Sequence, residues 1–246
     1  MLNEKFILEQ IEKYCRLDEE LSEGTFYEKV VVPLEASTEF NQYDWTYDYG
    51  VSKGVLIFND LDYVIKIPFY AEWFEGYEVD YDEENDEPIY EDGYTADCPF
   101  QGVEVEGFIK ENSWDYCETE TLIYEVAKRN SMEDHFAKTY MIGYANHWPI
   151  YAQVRACMLR SEESYTTRSK KNYTEEERET ANAIRDNEKF YLDEEWLMDF
   201  IAFWGKERML QFIKFCNDWF IDDLHGGNLG YVNGIPCLVD YSSYNC

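Results

Sequence analysis

The sequence predicts an α+β protein of two lobes, an antiparallel-sheet lobe followed by a short, mainly helical one. Three observations predict it. Strand-like apolar runs concentrate in residues 25–155, two strongly apolar helical stretches follow residue 190, and a turn-rich hairpin pattern comes after them. With 246 residues, 45% hydrophobic and 18% aromatic, the chain has ample apolar surface for cores of this kind.

The first lobe takes residues 1–155. From Lys5 to Leu21, Ile7, Ile11, Tyr14 and Cys15 recur at helical spacing among Glu and Lys, which predicts a surface helix. Val30 to Leu34 reads as a short strand. Gly54–Phe58 and Asp62–Ile67 are two more, joined by the turn-like Asn59-Asp-Leu-Asp62 into a β-hairpin. Trp114 to Asn130 predicts a helix on which Tyr116, Glu120, Ile123 and Ala127 share one stripe, so Glu120 borders an inward face. Thr139–Tyr144 and Pro149–Arg155, turning at Ala145–Trp148, complete a five-stranded sheet.

Between the hairpin and that helix no basic residue occurs from Lys66 to Lys110, and ten of the eighteen residues from Glu75 to Asp92 are Asp or Glu. Trp73, Tyr77, Tyr81, Tyr90 and Tyr94 are scattered through it, unlike a disordered tract. The segment of about residues 72–110 is read as an inserted loop or hairpin, with an acidic binding face as the alternative. Asp80-Tyr-Asp82-Glu-Glu-Asn-Asp86 lacks the glycine and the spacing of an EF-hand loop.

The second lobe takes residues 156–246. Ser161 to Asn187 is polar, and Thr174-Glu-Glu-Glu177 is a capping-box pattern that starts a solvated helix. The basic residues from Arg155 to Lys189 read as an ordinary mixed-charge region. Glu194–Trp204 and Lys206–Phe220, broken at Gly205, carry Trp196, Leu197, Phe200 and Ile201, then Leu210, Ile213, Cys216 and Phe220, the expected hydrophobic centre.

The charge bears on partners. Fifty-two acidic residues against 21 basic ones give −31, which argues against direct nucleic-acid binding, since neutralising phosphates needs clustered Lys and Arg. The acidity fits a self-repelling surface or, more sharply, a face that engages a basic protein or imitates DNA. Seven cysteines form no C-x-x-C pair and there are three histidines, so neither a zinc ribbon, a disulfide framework nor a multi-histidine centre is expected. No run approaches about 18 apolar residues, and the expectation is a cytoplasmic protein with no membrane partner. So compact and acidic a chain would suit a phage or mobile-element gene product.

The chemistry concentrates in Ile221-Asp-Asp-Leu-His-Gly-Gly-Asn-Leu-Gly230 and in Ile235-Pro-Cys-Leu-Val-Asp-Tyr-Ser242, with a turn at Asn233-Gly234 between them. An apolar helix delivers an Asp, an Asn comes five residues later, and a hairpin leads to a second Asp at a strand end. Phosphoryl transfer needs such groups: one carboxylate to orient the attacking hydroxyl, and an amide oxygen with another carboxylate to hold magnesium against phosphates.

Asp223-Leu-His-Gly-Gly-Asn228 resembles the catalytic loop of protein kinases and, more closely, the D-x-H-x-x-N form in aminoglycoside and choline kinase-like enzymes. Asp240-Tyr-Ser242 is similar to the D-F-G triplet, and Val64-Ile-Lys-Ile67 to the third-strand lysine motif. The resemblance implies a protein-kinase-like fold using ATP and Mg2+, with Asp223 as base, Asn228 and Asp240 as metal ligands, and Lys66 on the nucleotide phosphates paired with Glu120. A reduced glycine loop, Gly50-Val-Ser-Lys-Gly54, would cover phosphates through backbone amides and Lys53, giving Gly50, Ser52, Lys53 and Gly54 a nucleotide-binding role. Ile221 stands where the loop usually begins with His. Six residues follow Asp240, so no activation loop, A-P-E segment or standard peptide-docking platform is expected. Two functions follow from this: a phosphotransferase of unknown acceptor, or a catalytically inactive kinase-like protein that binds a basic partner through its acidic surface.

Overall fold

Asn3 starts the first helix of the computed structural model, its side-chain oxygen accepting the Phe6 N–H at 2.9 Å. The structure describes residues 2–70, 72–82, 87–95, 103–105, 108–110, 115–158, 173–188, 192 and 194–242. They divide into two units. One comprises Met1–Pro99, Asn112–Glu118 and Thr139–Gln153, and the other Phe100–Glu111, Thr119–Lys138 and Val154–Cys246. The protein is α+β, and among the described residues no helix is long and apolar enough to cross a membrane.

In the first unit, α1 (Glu4–Tyr14) buries Ile7 and Ile11 as their spacing predicts, but it stops at Cys15, where the backbone turns extended, rather than at Leu21. The Val30–Leu34 strand expected from β-branched residues is not a strand. Residues 23–35 are helical: α2 (Glu23–Phe26), a π-helical turn (Tyr27–Val31) and α3 (Val32–Glu35). Pro33 explains how they can be. A helical proline cannot donate to the carbonyl four residues back, Lys29 O, and here that oxygen accepts the Arg16 N–H at 3.0 Å instead. Val30, Val31 and Leu34 then all reach the core, an arrangement that strand alternation would not allow.

Five strands do form the sheet, in the order β1 (Trp45–Tyr49), β2 (Lys53–Phe58), β3 (Tyr63–Pro68), β9 (Trp148–Val154) and β8 (Thr139–Ala145). Trp45–Tyr49, not Val30–Leu34, is the fifth strand. Pairing of Gly54 with Ile67 and Leu56 with Ile65 puts these residues on one face, which joins Ile7, Ile11, Phe26 and Val30 in the unit's core. The β8–β9 hairpin turns at Asn146 and His147, both at positive φ as a two-residue hairpin turn requires, and Asn146 Nδ2 ties the turn to Glu12 O of α1 at 2.9 Å.

The acidic segment contains two hairpins, β4 (Glu72–Asp82) with β5 (Glu87–Thr95) and β6 (Val103–Val105) with β7 (Phe108–Lys110). The expected insertion is therefore at least partly hairpin. Part of Asp80–Asp86 and most of Ser161–Tyr173 lie outside the described residues.

Helix α4 (Tyr116–Arg129) follows, with Tyr116, Glu120, Ile123 and Ala127 all buried along the predicted stripe. In the second unit, α5 (Glu175–Glu188) opens with the capping box read from sequence: Thr174 Oγ1 accepts the Glu177 N–H, and Glu177 Oε2 accepts the Thr174 N–H at 2.6 Å. Helices α6 (Glu194–Trp204) and α7 (Lys206–Asp218) break at Gly205, whose φ of 78° favours glycine. On α7 the buried stripe is Met209, Phe212, Ile213 and Cys216. Leu210 lies about 100° off it and is exposed, and Phe220 falls beyond the helix, so neither joins the core as expected. A three-stranded sheet of β10 (Cys157–Met158), β11 (Leu229–Val232) and β12 (Ile235–Leu238) completes the unit; its β11–β12 turn is Asn233-Gly234, both at positive φ.

Candidate functional site

Helix α7 hands the chain to the Asp223 loop through a left-handed residue. Phe220 has φ 52°, the Ile221 N–H reaches back to Cys216 O at 2.8 Å, and the Phe220 N–H to Asn217 O at 3.3 Å. This is a Schellman cap with phenylalanine where glycine usually sits. Ile221 is buried and pins the loop's start, while the Asp223 side chain is 37% exposed.

A short 3-10 turn, Gly226–Asn228, then brings Asn228 back over Asp223. Asn228 Nδ2 donates to both Asp223 O and Asp223 Oδ2, each at 2.9 Å. Two oxygen acceptors on one side fix which end of the amide is which, so Oδ1 is the end directed elsewhere. Gly227 N–H donates to His225 Nδ1 at 3.0 Å, which places the proton of the neutral ring on Nε2, 3.5 Å from Asp223 Oδ1. Glycine at 227 suits this approach, because a Cβ there would lie 2.7 Å from the imidazole.

The hairpin carries the chain from Asn228 to Asp240. Its anchor is Tyr231, which stacks on Trp196 at 5.3 Å and donates its hydroxyl to Asp199 Oδ2; Tyr173 donates to the other Asp199 oxygen at 2.8 Å. The Val239 N–H donates to Asn228 O at 2.9 Å, so the strand end that presents Asp240 is bonded to the residue that holds Asp223. Ser242 Oγ donates to Asp240 Oδ1 at 3.2 Å. Asp223, Asn228 and Asp240 thus belong to one hydrogen-bonded constellation within the second unit. Glu120 belongs to the same unit, fully buried on α4.

Lys66 lies in the first unit, opposite Val55 in the β2–β3 register and buried. Directly opposed residues share a face, so Lys66, Val55, Ile57, Val64 and Lys53 lie on the face away from the Phe26 core. Val55, Ile57 and Val64 are only half-buried there. The glycine segment is a tight turn, Gly50 N–H to Lys53 O at 3.0 Å. Ser52 and Lys53 are buried, and the ring of Phe26 sits where a Cβ on Gly54 would be, at 2.3 Å; Gly50 alone has open space beside it.

Two features escaped the sequence reading. Asp115 caps α4, its Oδ1 accepting the Glu118 N–H at 3.0 Å while Tyr151 donates to Oδ2 at 2.6 Å; the D-x-x-E spacing before an apolar helix was the available signal. Burial pushes its carboxyl up to about 6, against the lowering effect of the Tyr151 hydrogen bond. Asp199, the one carboxylate within the apolar run 196–204 of α6, was the signal for the tyrosine anchor.

Among the described residues no three His, Cys, Asp or Glu side chains gather as a metal site. Asn228 and Asp240 nevertheless fit magnesium in kind: an amide oxygen and a carboxylate are hard donors, and this ion takes one or two protein ligands beside water and phosphate. No family model, curated protein or solved structure matches the chain.

Proposed function

We propose that the chain is an ATP- and magnesium-dependent phosphotransferase with a protein-kinase-like, two-lobed fold. The observation that carries this reading is the double donation of Asn228 Nδ2 to Asp223, coupled through Val239 N–H to the strand end bearing Asp240. In this reading Asp223 accepts the proton of the acceptor hydroxyl; its partial exposure leaves it reachable, and Asn228 holds its carboxylate in one orientation. Asn228 Oδ1 and the Asp240 carboxylate would hold magnesium, which when bound neutralises charge on the phosphates. The kinase-like resemblance gives Lys66 the nucleotide phosphates and Glu120 the role of its carboxylate, and the half-buried Val55, Ile57 and Val64 on the Lys66 face offer apolar surface to a purine. A lysine in so apolar a strand is costly to bury unless it is paired.

Titration calorimetry with ATP and magnesium, alongside Asp240→Ala and Lys66→Ala, tests this. Binding that requires the metal and both side chains supports the reading, and absence of binding at millimolar ATP overturns it. Given an acceptor, Asp223→Asn should lower turnover roughly 10²–10⁴-fold.

A second reading is a kinase-like protein without catalysis that binds a basic protein, or imitates DNA, through its acidic surface. The contact of Phe26 with Gly54 favours it, since glycine there accommodates packing instead of a phosphate. The net charge of −31 would make such binding strongly salt-sensitive.

A further inference from the structure

Where the D-F-G triplet carries phenylalanine, this chain carries Tyr241, and the added hydroxyl has a defined partner. Tyr241 is 1% exposed, its ring meets Phe136 edge-on at 4.9 Å, and its OH donates to Ala137 O at 2.7 Å. The same alanine holds the chain on the other side of Asp240: its N–H donates to Leu238 O at 2.7 Å, next to a parallel bridge between Phe136 and Leu238. Ala137 is therefore bonded two residues before Asp240 and one residue after it. Turning Asp240 away would require withdrawing a buried phenol from its acceptor and its ring from Phe136, so the strand end has one favoured orientation before any ligand arrives.

We infer that Tyr241 is a positioning residue whose hydroxyl staples the Asp240 strand end to Ala137 and so presents the carboxylate preformed. The cation-binding part rests on the proposed role of Asp240; the staple itself does not. A preformed ligand avoids the ordering that a mobile one must undergo on binding, so losing the staple weakens cation affinity without removing any cation donor. Asp240 is further restrained by Ser242 Oγ, which touches the carboxylate directly, whereas the Tyr241 hydroxyl acts through the Ala137 backbone.

Tyr241→Phe removes the hydroxyl and keeps the ring. Hydrogen exchange at the Ala137 amide, which donates to Leu238 O, and at the Val239 amide, which ties the same strand end to Asn228 O, should accelerate about tenfold while the α6 and α7 amides stay as they are. Mn2+ binding, followed by the paramagnetic resonance of the free ion, should weaken by roughly tenfold in Tyr241→Phe and vanish in Asp240→Asn. Unchanged exchange at both amides overturns the staple whatever the ion does. Faster exchange with Mn2+ affinity equal to that of the parent, while Asp240→Asn loses it, overturns the positioning role. Mn2+ binding that Asp240→Asn leaves intact overturns the cation role of Asp240, and the exchange comparison still decides the staple.

Discussion

Asn228 gives both amide hydrogens' end to Asp223, bonding its main-chain carbonyl and its carboxylate at 2.9 Å each. Asn228→Ala leaves both acceptors without this donor, for an expected loss of about 1–3 kcal/mol in urea unfolding. Asn228→Asp is expected to be worse than Ala at pH 7, because it sets a second carboxylate against the first. Equal stability of the two variants across pH would refute the arrangement.

Gly54 and Phe26 make a tighter test of packing. Gly54→Ala places a methyl 2.3 Å from the Phe26 ring and should destabilise by about 1–3 kcal/mol. Phe26→Leu should recover part of that loss in the double variant, giving a non-zero coupling in the thermodynamic cycle.

Phe220 combines a left-handed backbone with a side chain 45% exposed. Phe220→Gly should therefore stabilise the protein by about 1 kcal/mol, read as a higher urea midpoint. A loss of stability would mean that the exposed ring contributes more than its conformation costs.

Two buried groups set opposite pH slopes. His135 is stacked between Trp204 and Phe212 at 4.1 and 4.9 Å, with Nε2 buried and lacking a hydrogen-bond partner among the described residues; burial, assisted by the charge of Arg208, pushes its pKa down to about 3. The unfolded chain takes up this proton near 6.5 and the folded one does not, so stability is lost as pH falls from 6.5 through about 3, by at most about 5 kcal/mol. His135→Phe should flatten that loss.

Asp115 acts in the opposite sense. Its folded carboxyl keeps the proton up to about 6 and the unfolded one releases it near 3.8, so stability contributed by the protonated form declines as pH rises between these values, by at most about 3 kcal/mol. Asp115→Asn keeps a capping side chain and should hold stability level across this window when unfolding is followed from pH 4 to 7.

Local patterns in the sequence determined helices α4 to α7, the β2–β3, β8–β9 and β11–β12 hairpins and the order of the chemical residues, because each is written in neighbouring positions. The stripe through Glu120 and Ile123, the capping box at Thr174, the break at Gly205 and the turn at Asn233-Gly234 are all properties of a few consecutive residues. Tertiary structure decided what those patterns leave open. Val30–Leu34 is helical because Arg16, distant in sequence, supplies the donor that Pro33 cannot, and the fifth strand passed to Trp45–Tyr49. Which side of α7 is buried, which ring fills the space over Gly54, and which alanine brackets Asp240 likewise depend on partners brought from elsewhere in the chain. A residue's own neighbours set its local conformation, but burial and hydrogen bonding over long sequence separations exist only once the chain has folded.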